Sequence, residues 1–205
     1  MKKKFLTLSA TAVGAVIALS GCASGSGGGS MPGMDMGSSS SAPASSSPAA
    51  AADHNAADTM FAQMMIPHHK QAVEMSDIIL KKQGIDPKVT ALATKIKAEQ
   101  GPEIEKLTKW LSDWKEAAEM SGSMSGGGMD GMMGEEDMKK LDAAQGTEAA
   151  RLFLTQMIVH HEGAVMMAKT EATDGKNPDA VKLSKDIVAS QEAQMQEMKD
   201  LLASL

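Results

Sequence analysis

The chain has 205 residues, a formal net charge of −6, 42% hydrophobic residues and only 2% aromatic residues. An acidic chain with so few aromatic side chains is a poor match for nucleic acid, because phosphate contacts need clustered cations. A single cysteine excludes an internal disulfide and any metal site built from several thiolates.

Residues 1–21 have the pattern of a lipoprotein signal peptide. Three lysines precede the apolar run from Phe5 to Leu19, which is too short for an ordinary membrane-spanning helix. The run closes with LSGC, which resembles the bacterial lipobox and makes Cys22 the expected lipidation site. We therefore expect an exported protein, anchored by lipid to a membrane and facing the periplasm or the cell exterior. An uncleaved membrane anchor is the alternative.

Two segments that are too small and polar to bury a core divide the remaining chain. Residues 22–52 are mostly Gly, Ser, Ala and Pro and predict a disordered tether that follows the lipidated cysteine. Residues 53–205 predict one domain. Within it, a Met- and Gly-rich linker at 121–135 separates a first repeat (58–120) from a second (136–205).

The two repeats match over most of their length. A shift of 92 positions pairs MIPHH, Met65 to His69, with MIVHH, Met157 to His161. After a slip of one residue the shift becomes 91 and pairs Pro87 with Pro178. The match indicates that one helical hairpin has been duplicated.

Helical spacing of the apolar residues predicts two helices in each repeat and no strand. We expect Asp58 to cap the first helix, while Asp86 and Asn177 each precede a proline at the first helical position. Pro67 removes a backbone donor and predicts a kink. Two such hairpins predict an all-α, four-helix bundle.

Four of the five histidines lie in two adjacent pairs, and each pair follows a methionine by three residues. At about 100° per residue, the two imidazoles of each Met-x-x-His-His motif flank the methionine on one helical face. That face is also the apolar one, so we expect both motifs to converge inside the bundle. The motifs comprise Met65, His68, His69, Met157, His160 and His161.

Buried imidazoles need partners for their nitrogens. The imidazoles can form hydrogen bonds with one another or with the backbone, or their nitrogens can bind a metal ion. The duplication favours ligation, because both motifs keep the same residue types at the same spacing. Imidazole and thioether donors together favour copper, with Cu(I) drawn to sulfur and Cu(II) to nitrogen.

Nineteen methionines are the second signal. We interpret Met60, Met64, Met195 and Met198, which lie within predicted helices, as gap-filling core residues. Methionines of the tether and linker lie among Gly, Ser and Asp, where an apolar side chain buries nothing. They predict flexible soft ligands, although compositional drift is an alternative. The additional candidate ligands are Met31, Met34, Met36, Met75, Met129, Met132, Met133 and Met167.

The segments FAQMMIPHHKQAVEM and FLTQMIVHHEGAVMM resemble the paired motifs of domain-of-unknown-function family 305, and the resemblance covers residues 54–205. The resemblance implies an exported four-helix protein with a ferritin-like arrangement. Some members of the family are implicated in copper binding or copper resistance, so the resemblance also implies copper as the ligand. The positions carried over are the six residues of the two Met-x-x-His-His motifs.

We therefore expect an extracytoplasmic copper-binding lipoprotein for metal sequestration, tolerance or transfer, without an organic cofactor and without enzymatic activity. Expected partners are the membrane, through the lipid, and copper export or delivery proteins, while the oligomeric state is left open. A structural envelope lipoprotein with hydrogen-bonded core histidines is the main alternative. A ferritin-like metal oxidase is disfavoured because the chain has no Glu-x-x-His, and non-covalent haem binding is disfavoured by the few aromatic residues.

Overall fold

The computed structural model describes residues 53–119 and 130–205, which contain five helices and no strand. The helices are α1 (Ala56–Leu80), α2 (Pro87–Trp114), α3 (Glu135–Ala143), α4 (Gly146–Asp174) and α5 (Pro178–Ser204). The predicted all-α fold is confirmed: α1, α2, α4 and α5 form a ferritin-like four-helix bundle from two repeated hairpins, and α3 is added to it.

The signal peptide, Cys22 and the tether with Met31, Met34 and Met36 lie outside the described residues, as does Met129 of the linker. The predictions made for them stand as predictions. In the part of the chain that the structure describes, no helix is long and apolar enough to cross a membrane.

The helix starts follow the predicted capping chemistry with one correction. Asp86 and Asn177 cap α2 and α5 ahead of a proline, as expected. The cap of α1 is Asn55, whose side chain accepts hydrogen bonds from the backbone N–H of Ala57 and Asp58. Asp58 is three residues further on and accepts a hydrogen bond from the Asn55 backbone in return, which completes a capping box. Both α1 and α2 continue through an internal proline.

Helices α1 and α2 pack as one hairpin and α4 and α5 as the other, and the hairpins meet through α1 and α4. The carboxylate of Asp58 accepts hydrogen bonds from the backbone N–H of Lys176 (3.1 Å) and Asn177 (2.9 Å), which lie in the turn after α4. The start of α1 therefore lies at the end of α4, and the two helices run antiparallel. This contact fixes the register that places His68 opposite His160.

The apolar core consists of two clusters at opposite ends of the bundle. One contains Met75, Phe153 and Met157 and extends to Leu141 of α3. The other contains Phe61 and Met65 together with apolar residues of α2, α4 and α5. Between the two clusters, each of the four bundle helices carries buried polar side chains.

Helix α3 was not predicted and has no described counterpart in the first repeat. Its Leu141 is fully buried, and Met133 and Met138 pack against the same cluster. The backbone of Met133 also exchanges hydrogen bonds of 2.8 and 2.9 Å with the Gln71 side chain. The prediction that linker methionines bury nothing is therefore wrong for Met133, because α3 gives it a core to pack on. Met132 is half-buried.

The prediction that Met60 fills a gap in the core is also wrong, since its side chain is 50% exposed. Met64 and Met195 are partly exposed, and Met198 is fully buried as predicted. Met60 stays exposed because none of the described helices lies over this face at the start of α1.

Candidate metal centre

A layer of polar side chains crosses the middle of the bundle between the two apolar clusters. Each bundle helix contributes two of them, and all but Glu103, which is 18% exposed, are buried. We call these residues the polar layer: His68 and His69 on α1, Gln100 and Glu103 on α2, His160 and His161 on α4, and Gln191 and Gln194 on α5.

The two Met-x-x-His-His motifs converge in this layer, as the sequence predicted. The imidazole rings of His68 and His160 lie with their centroids 3.7 Å apart and their planes tilted by 42°. The rings of His160 and His161 have centroids 6.4 Å apart. Three of the four imidazoles are thus within one small volume shared by α1 and α4.

The second histidine of each motif is held by the neighbouring helix of its own hairpin. His69 Nε2 donates to the Glu103 carboxylate at 2.8 Å, and His161 Nε2 donates to the Gln194 side-chain oxygen at 2.7 Å. Gln194 in turn donates to Glu99 at 2.6 Å. Since Nε2 is occupied in both histidines, Nδ1 carries the free lone pair.

Burial keeps His68, His160 and His161 neutral. It lowers the pKa of His68 to about 3, with further lowering from His69 and His161, and a weak interaction with the Asp130 backbone opposes the shift. Burial also lowers the pKa of His160 well below its ordinary value. The pKa of His161 falls to about 4, because burial outweighs the hydrogen bond to Gln194. Neutral imidazole is the form that binds metal ions.

Nine buried nitrogen and oxygen atoms of the layer have no hydrogen-bond partner within the described residues. They include both ring nitrogens of His68 and of His160, and Nδ1 of His69 and of His161. An unsatisfied buried polar atom costs about 1–3 kcal/mol, so native proteins rarely leave several together. The layer therefore fits a ligand that accepts electron pairs from imidazole nitrogens.

Thioethers border the layer on both sides. Met65 and Met157 are fully buried, one helical turn before His69 and His161, and they belong to the two different apolar clusters. Met75 is buried deeper in one cluster, while Met167 is partly exposed beside the other. Within the described residues no group of three or more His, Cys, Asp or Glu side chains forms a complete metal site. In this arrangement of the described side chains, nitrogen and oxygen donors alone do not form a metal site, and the thioethers of Met65 and Met157 border them.

The loop that precedes α3 covers the layer. A Cβ atom on Gly163 would overlap the backbone of Asp130, and one on Gly131 would lie 2.8 Å from the Val159 carbonyl oxygen. Gly131 has a φ of 87°, which other residues rarely adopt. Two glycines therefore allow the loop to lie directly on α4, beside His160.

Sequence reasoning missed the residues of α2 and α5. None of Gln100, Glu103, Gln191 and Gln194 was predicted to be a site residue. The shift of 91 that pairs Pro87 with Pro178 also pairs Glu103 with Gln194. Polar residues at matching positions of an otherwise apolar helical face were the signal that could have found them.

The fold and the site define a class of protein: a duplicated four-helix bundle with imidazole and thioether donors buried at its centre. Residues 58–202 match the model of the family described as domain of unknown function (DUF305), and the chain belongs to this family.

Solved structures of relatives share the fold. A DUF305 protein from Streptomyces coelicolor, described as secreted, is 36% identical with a TM-score of 0.69, over 75% of this chain and 95% of its own. CopM in its Cu(I)-bound form is 33% identical with a TM-score of 0.60, over 72% of this chain and 96% of its own. The Cu(II)-bound form is 35% identical with a TM-score of 0.63, over the same shares. CopM has also been crystallised with silver, so metal binding occurs within the family. No curated protein matches the chain.

Proposed function

We propose that this protein binds copper in the polar layer and serves in metal sequestration, tolerance or transfer outside the cytoplasm. The observation that carries the proposal is the pair of His68 and His160. Their rings are buried, neutral and 3.7 Å apart, and no ring nitrogen of either has a hydrogen-bond partner among the described residues. The copper-bound and silver-bound forms of CopM support it, because that protein has the same fold and comparable sequence.

The donor set suits both oxidation states of copper. Imidazole nitrogens of the four histidines would serve Cu(II), and the sulfurs of Met65 and Met157 would add soft donors for Cu(I). Hard cations such as Mg²⁺ and Ca²⁺ prefer oxygen ligands, of which the layer offers only one carboxylate and three amides. Copper would be cargo in this function, and we propose no enzymatic step.

Lipid anchoring through Cys22 would keep the domain at a membrane, and the Streptomyces relative that is described as secreted supports an exported location. Methionines of the tether and linker, including Met31, Met34, Met36 and Met129, would then collect Cu(I) close to that surface. Delivery to or from copper export proteins is the role that such a location favours.

A competition titration against a Cu(I) chelator tests the proposal. We expect His68→Ala/His160→Ala to weaken the tightest Cu(I) site by at least tenfold, and Met65→Leu/Met157→Leu to weaken it as well. His54→Ala is the matched control, because His54 is the one histidine outside the layer and stacks on Trp114 at 4.5 Å. Unchanged affinity in folded double variants would favour the structural alternative, in which the buried histidines only satisfy one another.

A further inference from the structure

Three methionines line a groove on the surface of the bundle, away from the polar layer. Met60 and Met64 lie one turn apart on α1, and Met167 faces them from α4, around a cavity of about 390 Å³. Met60 is 50% exposed, so the groove is open to solvent. Phe61 forms part of the wall, and the carboxyl groups of Glu171 and Asp174 lie on the α4 side.

The groove lies roughly 10 Å along the helix axes from the polar layer. Met60 precedes His68 by eight residues and Met167 follows His160 by seven, at about 1.5 Å of rise per residue. Met64, one turn before His68, lines the end of the groove that is nearest the layer. The groove and the polar layer both lie between α1 and α4 but have no side chain in common.

The two repeats differ in the number of methionines on this face and in whether the face is covered. A shift of 92 relates Met60, Met64 and Met75 of the first repeat to Leu152, Gln156 and Met167 of the second. At the other end of the bundle, α3 covers the equivalent face: Gln156 donates to the backbone oxygen of Asp137 at 3.1 Å, and Met75 is fully buried. The covered face has one thioether, and the open face has three.

Three neutral thioethers at an open surface favour a soft monovalent cation. Thioether sulfur binds Cu(I) and Ag(I) but neither protons nor hard cations at neutral pH, and methionine side chains are flexible enough to re-aim their sulfur atoms. Asp174 beside the groove, together with the net negative charge of the protein, attracts cations to it. An apolar docking surface would need no sulfur, and leucine would serve it equally well.

We propose that Met60, Met64 and Met167 form a second soft-cation site, which takes up Cu(I) at the surface and passes it along α1 and α4 to the polar layer. The transfer rests on the proposed function, whereas binding at the groove does not. Cu(I) keeps its oxidation state throughout, since the step exchanges one set of donors for another.

Silver titration of the protein labelled with ¹³C at the methionine methyl groups tests the site. We expect the methyl signals of Met60, Met64 and Met167 to shift together and saturate at one equivalent of Ag(I) in His68→Ala/His160→Ala, where the layer is disabled. Met166 is the internal control, because it is 53% exposed and next to Met167 but does not line the groove. Shifts of Met166 equal to those of the three, or no shift of the three, would overturn the proposal.

Replacing all three methionines with leucine, which keeps the apolar surface but removes sulfur, tests the transfer. We expect Met60→Leu/Met64→Leu/Met167→Leu to bind one soft cation fewer and to load the layer several-fold more slowly, with Met166→Leu unchanged. If the triple variant loads the polar layer with Cu(I) at the unaltered rate, the proposed transfer is wrong. If the wild-type protein binds a soft cation at the groove but none in the polar layer, only the proposed function is wrong. If the triple variant does not fold, Met60→Leu alone, at a half-exposed position, gives the same comparison.

Discussion

Glu103 and Gln194 lie at equivalent positions of the two repeats. Glu103 accepts a hydrogen bond from Nε2 of the buried His69 at 2.8 Å, and Gln194 accepts one from Nε2 of the buried His161 at 2.7 Å. One partner is a carboxylate and the other is an amide, so the two halves of the polar layer differ by one charge. A carboxylate behind an imidazole raises its basicity as a metal ligand. We therefore expect the duplicated motif to offer two unequal nitrogen donors, with His69 the better one for Cu(II).

Exchanging these partners should change the preference for Cu(II). We expect Glu103→Gln to weaken Cu(II) binding by about tenfold, within the range seen for partners of metal ligands, and Gln194→Glu to strengthen it. Cu(I), which relies more on sulfur, should respond less. Chelator competition at pH 7 with each ion measures both effects, and equal responses for Cu(I) and Cu(II) would contradict the account.

Acid should destabilise the metal-free protein through its buried histidines. The pKa values of His68 and His161 are lowered by burial to about 3 and about 4, and that of His160 is lowered further. The folded state therefore binds fewer protons than the unfolded state below pH 6.5. The stability these groups contribute is fully present above pH 6.5 and falls toward pH 4, by about 1.4 kcal/mol per pH unit for each histidine. Urea unfolding from pH 7 to pH 4 measures the slope, which His68→Ala/His160→Ala should reduce.

Alkaline pH should weaken the contact between the start of α1 and the end of α4. Burial, followed by the hydrogen bond to Asp58, raises the pKa of Glu171 to about 8. Burial is the largest single effect on Asp58 and raises its pKa. Hydrogen bonds from Glu171 and from the backbone of Asn177, Asn55 and Lys176 together outweigh burial, so that the pKa of Asp58 is lowered. Protonated Glu171 thus donates to ionised Asp58, and this stability is present below pH 4.5 and lost as the pH rises through 8.

Glu171→Gln keeps a donor toward Asp58 but cannot ionise. We expect the variant to be more stable than the wild-type protein at pH 9, with the difference shrinking toward pH 5. Thermal unfolding at both pH values measures it, and parallel curves for the two proteins would count against a shared proton. Asp58→Asn, which replaces the acceptor of the Lys176 and Asn177 backbone N–H groups, should destabilise at both pH values.

Gly163→Ala should displace the loop that covers the polar layer. Its Cβ would overlap the backbone of Asp130, and neither that backbone nor the α4 helix can move aside cheaply. We expect a loss of about 1–3 kcal/mol of stability, as for overpacking in a core. The exposed imidazoles should also titrate closer to pH 6.5, which NMR of the histidine ring protons measures. Gly134→Ala is the matched control, because a Cβ there meets nothing within 4 Å.

The positions of the four histidines could be predicted from the sequence because the same motif occurs at equivalent positions of both repeats. Helical spacing placed both Met-x-x-His-His motifs on apolar faces, and duplicated hairpins bring equivalent faces together, so the approach of His68 to His160 could be predicted. The assignment of these residues as metal ligands is a prediction that the titrations test.

Partners on other helices were harder to predict. Glu103 reaches His69 only because α2 is rotated about its axis in one particular way, and packing rather than local sequence sets that rotation. Helix α3 was missed because it has nine residues and a single fully buried side chain, Leu141, next to a Gly- and Met-rich segment. Met60 was misjudged because helical periodicity shows which residues share a face but not whether another helix covers it.

Anomalous diffraction from crystals loaded with Ag(I) or Cu(I) tests the central claim most directly. Two imidazoles on opposite sides of one metal ion need ring centroids about 6 Å apart, since each metal–nitrogen bond is about 2 Å long. The account predicts a strong anomalous peak in the polar layer, with the His68 and His160 rings separated beyond their present 3.7 Å. Anomalous peaks confined to surface methionines, with the two ring centroids still at that distance, would contradict it.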